Sequence, residues 1–199
     1  PMPETWPDLT RARSGLPIPQ EYWVKATWHW MGCQRGDGGW AYNEDGPSTR
    51  TMAAAGVASL FVCYDNLLSS ATGFLRCRVG PKETAAHLPI ERGLQWFDRE
   101  FEKTLSSSAW RYYYLYGLER VGLASGRKYF GSADWYKLGV DQVLRAQRSD
   151  GSVGHGRRMV NTSFALLFLI RGRNTVLFNN LQYPGDWNNR PRALASLAR

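Results

Sequence analysis

Four groups of residues in this chain have the types and spacing for chemistry. His29 and Cys33 stand four apart, which on a helix sets an imidazole and a thiol on one face, the pairing zinc sites use. No third or fourth ligand stands near them, and a packed histidine beside an inert thiol is the commoner fate of such a pair. Gly154-His155-Gly156-Arg157-Arg158 places a histidine and two arginines in a glycine-rich stretch. That set can bind phosphate or pyrophosphate through charge-assisted bonds, or simply form a solvated loop. Tyr112, Tyr113 and Tyr116 offer π faces to a cation or an apolar ligand, although tyrosines in such runs more often pack and hydrogen-bond between helices. Asp37 and Asp150 are carboxylates among small residues, where an aspartate usually bonds turn amides rather than acting as an acid. The candidate ligand-binding set is therefore Tyr112, Tyr113, Tyr116, His155, Arg157 and Arg158, for an apolar or anionic small molecule. No metal-ligand set, cofactor motif or catalytic constellation is recognisable.

These residues hang on a repeated corner. Cys33-Gln34-Arg35-Gly36-Asp37-Gly38-Gly39-Trp40 follows an aromatic-rich helical run and precedes an alanine-rich one. Three glycines around one aspartate stop a helix, because glycine gives up the most backbone entropy there and readily takes positive φ. Trp40 is too apolar to leave in water, and Gln34 can bond backbone groups freed at the helix end. The string returns 113 residues later as Gln147-Arg148-Ser149-Asp150-Gly151-Ser152-Val153, with Gln, Arg, Asp and the first Gly in the same order. The structural corners are thus Gln34, Asp37, Gly38, Gly39 and Trp40, then Gln147, Asp150 and Gly151.

Along the chain, residues 1–19 are a proline-rich, irregular lead-in. A first helix is predicted over Gln20 to Cys33, with Tyr22, Trp23, Ala26, Trp30 and Cys33 on its apolar side. Ser48 or Thr49 caps a second, small-residue-rich helix to Leu68, and Ser69 to Pro81 reads as a connection. A third helix is expected after Pro89, and Ser106 to Ser108 form a cap cluster before a fourth, Ala109 to Leu123. A fifth begins after Ser132 with Ala133 and Asp134 in its first turn. Asn161, Thr162 or Ser163 caps a sixth, Phe164 to Ile170. The basic tail from Arg171 holds the breakers Pro184, Gly185 and Pro191 and a short helix over Pro191 to Leu197. The expected fold is all-α: about three helix–turn–helix units starting near residues 20, 86 and 133, with almost no strand signal. The first helix of each unit is amphipathic and the second more uniformly apolar, so the second members should form an inner layer.

Composition narrows the function classes. A chain of 199 residues with 43% hydrophobic and 14% aromatic residues is long and apolar enough for one ordered core. No run approaches the roughly 18 apolar residues that span a bilayer. Cys33, Cys63 and Cys77 are an odd number without framework spacing, which favours a reducing, cytoplasmic compartment. The opening on Pro1 leaves room for preceding sequence and a leader. The net charge of +8 is concentrated at one end: from Arg145 on there are nine arginines against Asp150 and Asp186. No aromatic-interleaved basic groove accompanies them, so nucleic acid is not the expected partner. A docking face for a missing part of a longer chain, a protein partner or a second copy fits as well.

Trp28, the corner Gln34-x-x-Asp37-Gly38-Gly39-Trp40, the shorter Gln147-x-x-Asp150-Gly151 and the alternation of helices resemble the terpenoid cyclase and protein prenyltransferase superfamily. The likeness is to the Gln–Trp repeats of squalene–hopene and oxidosqualene cyclases and covers roughly residues 20–172. It implies an α/α-toroid, here an incomplete ring of about three hairpins in two layers, as a repeat domain over residues 20–182. The stretch Trp110 to Pro184 is also similar to squalene-cyclase-like segments of uncharacterised bacterial proteins. In those a further domain begins near a Trp-Asn-Asn-Arg-Pro-Arg string, matched by Trp187 to Arg192, so residues 183–199 read as a basic tail or linker. The cyclases protonate an alkene with an Asp-x-Asp-Asp motif, for which Phe97-Asp98-Arg99-Glu100 and Glu44-Asp45-Gly46 have the wrong spacing. The prenyltransferases bind zinc through Asp, Cys and His, of which Cys63-Tyr64-Asp65 is only a reordered fragment. The resemblance thus implies a non-catalytic interaction or ligand-binding scaffold within a larger protein. An enzyme or binding domain for prenyl-diphosphate-type lipids is the alternative, and anionic polysaccharide binding or cleavage, on a similar double-layered toroid, is a second.

Overall fold

A computed structural model describes residues 18–70, 81–105 and 110–171. Among them the chain is all-α, with six helices: α1 Gln20–Gly32, α2 Arg50–Ser70, α3 Pro81–Leu105, α4 Arg111–Ser125, α5 Trp135–Arg145 and α6 Arg158–Arg171. One short antiparallel pair, β1 Tyr129–Phe130 with β2 Ala133–Asp134, interrupts them. Local chemistry sets several ends. The Thr49 hydroxyl accepts from Met52 N and its carbonyl from Ala53 N, which starts α2. Asp134 caps α5 by accepting from Lys137 N at 3.0 Å, and Gly126 ends α4 in the left-handed region at φ 69°.

The helices alternate between two layers. α2, α4 and α6 lie side by side in an inner row; α1 and α3 pack on α2, and α5 on α4. Small residues allow the inner row, since Gly117 of α4 sits against the Ala54 methyl of α2. The outer position of α1 explains why none of its residues is fully buried; Tyr22, Trp23, Ala26 and Trp30 are half-buried along the side expected, whereas Cys33, expected on the same side, is exposed just past the helix end. Large rings seated on glycines fill the core. A methyl group at Gly56 would meet the Trp40 indole at 2.4 Å, one at Gly122 the Trp135 indole at 2.2 Å, and one at Gly139 the Phe168 ring at 2.5 Å. Phe97, Phe101 and Phe130 stack between them, with Phe130 5.2 and 5.9 Å from the other two ring centres. Trp40 itself is 1% exposed, so the tryptophan that closes the first corner sits in the core, while Gly36 and Asp37 of the same corner are exposed.

Five boundaries differ from expectation. α3 does not begin after Pro89 but at Pro81 and runs through it. Proline removes one helical bond, yet both sides of it are anchored: His87 Nε2 lies 2.6 Å from the Tyr64 hydroxyl, and Ile90 is buried. Ser69, Ser70 and Pro81 accordingly belong to helices rather than to a connection. α4 begins at Arg111, after Trp110 in a left-handed conformation (φ 52°). Ala133 and Asp134 pair with β1 instead of opening α5, which starts at Trp135. α6 begins at Arg158 rather than Phe164, because its expected caps are used elsewhere. The Thr162 hydroxyl accepts from Val153 N at 3.0 Å, and Asn161 Nδ2 donates to the His155 carbonyl at 3.1 Å. The Ser106 to Ser108 cluster, most of the lead-in, and the tail with its short helix over Pro191 to Leu197 lie outside the described residues.

Candidate functional site

The first corner joins three helices. As α1 ends, Gln34 N bonds the Met31 carbonyl, and the chain closes a tight loop through Arg35 N to Gly39 O and Gly38 N to Arg35 O, each 2.9 Å. Gly38 makes the loop possible by adopting φ 89°, a conformation costly for residues with a Cβ. Inside it, Asp37 Oδ1 accepts from Gly39 N and the Ser48 hydroxyl, both at 2.9 Å, and Oδ2 from Trp96 Nε1 at 3.2 Å. Burial pulls the Asp37 pKa upward, but those hydrogen bonds and the charge of Arg35 prevail and hold it below the usual carboxylate range. Gln34 Nε2 donates both to Gly38 O (2.9 Å) and across to Pro89 O of α3 (2.7 Å). Arg92 donates to Arg35 O and Arg99 to Asp37 O, while Trp40 Nε1 ties back to Trp30 O at 2.8 Å. The corner thus fixes the end of α1, the approach to α2 and the flank of α3.

The second corner repeats the loop bond for bond. Arg148 N donates to Ser152 O at 2.9 Å, Gly151 N to Arg148 O at 3.0 Å, and Ser152 N to Asp150 Oδ1 at 3.0 Å. Gln147 Nε2 reaches Gly151 O at 3.5 Å, and Gly151 has φ 79°. Bonds from the Ser152 hydroxyl and amide, aided by Arg158 and Arg148 against a small burial effect, lower the Asp150 pKa. Val153 is buried where Trp40 stands in the first corner. Gln147, Arg148, Asp150 and Gly151 remain exposed.

The candidate ligand residues divide between two places. Tyr112, buried and with its pKa raised by burial against the pull of Arg111, underlies the 154–158 loop: a methyl at Gly154 would lie 2.8 Å from its ring. In that loop His155 Nδ1 faces Arg148 Nη1 at 3.3 Å, Arg158 pairs with Asp150 at 3.3 Å, and Arg157 lies over the Trp110 ring at 5.6 Å. Tyr113 and Tyr116 instead pack on Phe164 of α6, at 5.4 and 5.6 Å between ring centres, with Arg120 over Tyr116. His29 and Cys33 do face each other, Nε2 to Sγ 3.9 Å, on an exposed surface. No group of three His, Cys, Asp or Glu among the described residues is arranged to hold a metal ion. Cys63 is buried, and its pKa is pushed up by burial despite a bond from Thr27. No helix among the described residues is long and apolar enough to cross a membrane.

Sequence reasoning missed the polar centre around Arg127. Arg127, 8% exposed, bonds Asp98 at 2.7 Å and Glu91 at 3.4 Å on α3, while its carbonyl accepts from Trp135 Nε1 at 2.7 Å. Asp98 also accepts from Gly131 N, so this clasp fastens the β1–β2 turn to α3. The three charges lie 29 and 36 residues apart, and no spacing rule marks them. No family model, curated protein or solved structure matches the chain.

Proposed function

We propose that this chain is a terpenoid-cyclase/prenyltransferase-like helical repeat segment, an open part of an α/α-toroid, that works as a non-catalytic interaction scaffold within a larger protein. The observation that carries the proposal is the use made of Asp37. Its oxygens accept from Gly39, Ser48 and Trp96, so the carboxylate with the most suggestive sequence setting is spent on joining helices. The alternation of inner and outer helices supports the repeat assignment. A prenyl-diphosphate ligand is the second reading, favoured by Tyr112 lying beneath the loop of His155, Arg157 and Arg158. Thermal-shift titration of the full chain with farnesyl and geranylgeranyl diphosphate separates the two. The scaffold leaves Tm unchanged. A saturable rise lost on Arg157→Ala/Arg158→Ala would establish the lipid reading instead, because a ligand that prefers the folded state must stabilise it.

A further inference from the structure

His29 and Cys33 do not meet the fate that their sequence setting suggests. Neither is packed into the core: both are exposed at the end of α1, and the imidazole Nε2 stands 3.9 Å from Sγ. A tetrahedral zinc ion with one sulfur at about 2.3 Å and one nitrogen at about 2.0–2.1 Å holds those two atoms about 3.6 Å apart. The pair is therefore within a few tenths of an ångström of a chelating bite. Its place also suits a cation, because the carbonyl end of a helix carries partial negative charge. Gly32, three residues on from His29, lies on the same face. It is exposed, and a methyl built on it would meet nothing within 4 Å, so a second backbone can come close to the pair.

Two ligands do not complete a zinc site, and the described residues offer no third. His87 Nε2 lies against the Tyr64 hydroxyl at 2.6 Å, His155 faces Arg148 in the second corner, and Cys63 is buried. No group of three His, Cys, Asp or Glu among the described residues is placed to hold a metal ion. We infer that His29 and Cys33 are half of a zinc-type metal site that a second copy of this chain completes, with the two α1 ends meeting about a two-fold axis through the ion. A two-fold contact brings the same patch from each copy, so two ligands become the four of a structural zinc site without any further residue. As each sulfur–zinc bond forms, the thiol proton passes to solvent. Two thiolates and two neutral imidazoles then balance the divalent ion. The same contact covers Trp28, which stands 68% exposed beside His29. The inference does not depend on the scaffold proposal.

The test titrates the full chain carrying Cys77→Ser, whose remaining thiols are Cys33 and the buried Cys63, with Co²⁺ and then with Zn²⁺. Absorbance and light scattering are read together. The expected result is a sulfur-to-cobalt charge-transfer band with the intense visible bands of a tetrahedral ion, saturating at one ion per two chains on a species of twice the chain mass. Excess zinc should displace the cobalt and leave the mass unchanged. Cys33→Ser and His29→Gln should each abolish the tetrahedral spectrum. Both side chains are exposed, and unchanged melting curves in the presence of a chelator show that the variants fold. No tetrahedral spectrum up to about 0.1 mM cobalt, bands that survive Cys33→Ser, or saturation at one ion per monomeric chain would overturn the inference. So would a spectrum seen with the natural sequence and lost in Cys77→Ser, because Cys77 would then be the missing ligand.

Discussion

Replacing Gly38 and Gly151 by alanine, one at a time, turns the internal repeat into its own control. Both glycines have positive φ, 89° and 79°, so each substitution carries about 1–2 kcal/mol of left-handed backbone strain. Only at Gly38 does the new methyl strike something: Arg92 O at 2.5 Å, where ordinary contact begins near 3.4 Å. α3 must retreat by most of an ångström, which loosens the bonds from Gln34 to Pro89 O, from Arg92 to Arg35 O and from Trp96 to Asp37. At about 1 kcal/mol for each of the two bonds most directly stretched, Gly38→Ala should cost about 3–4 kcal/mol in all. Gly151→Ala should cost only the strain of about 1–2 kcal/mol. Urea unfolding followed by far-UV circular dichroism reads both, provided the slope with denaturant is unchanged. Equal losses would refute the reasoning, because they would mean that nothing presses on the first corner that is missing from the second.

Three further outcomes are expected. Arg127→Ala should destabilise the fold by about 2–4 kcal/mol in the same urea assay, less than a fully buried pair because Glu91 and Asp98 are partly exposed; a loss below about 0.5 kcal/mol would remove the clasp from the account. Asp37 has a lowered folded-state pKa, so its contribution is complete above the unfolded value of about 3.9 and is lost as pH falls through the folded value. Glu91, raised by burial despite Arg127 and further by Asp98, gives a slope of the opposite sign, so wild type is compared with Asp37→Asn. The variant should show the weaker decline in acid, and parallel curves would contradict the assigned bonds. In a Cys77→Ser background, Cys33 should react with a thiol reagent at once and Cys63 only on unfolding, given their exposure and burial; two fast thiols would contradict the packing of α1 on α2.

Local chemistry made the corners and the fold class legible. Glycine and aspartate declare a turn by their backbone preferences, a tryptophan beside them needs burial, and a four-residue identity at a fixed offset marks a repeat. The failures share a cause, which is that contacts distant in sequence overrode local preference. Pro89 reads as a helix start, yet Gln34 and its packed neighbours hold the helix through it. Thr162 reads as a cap, yet its hydroxyl serves Val153. Tyr112, Tyr113 and Tyr116 read as one cluster, yet helical rotation sends Tyr112 under Gly154 and the others onto Phe164. Arg127, Glu91 and Asp98 had no readable pattern, because an ion-pair centre is set by how α3 and the β1–β2 turn meet.

The central claim is that the first corner bolts the α1–α2 hairpin to α3 through Asp37. A double-mutant cycle of Asp37→Ala with Trp96→Phe measures that bolt directly, since the packing cost of each single change cancels from the coupling term. The expected coupling is about 1 kcal/mol, the net worth of the indole-to-carboxylate bond. Additivity within about 0.3 kcal/mol would mean that Asp37 and Trp96 do not meet, and the layered assembly built on that corner would fall with it.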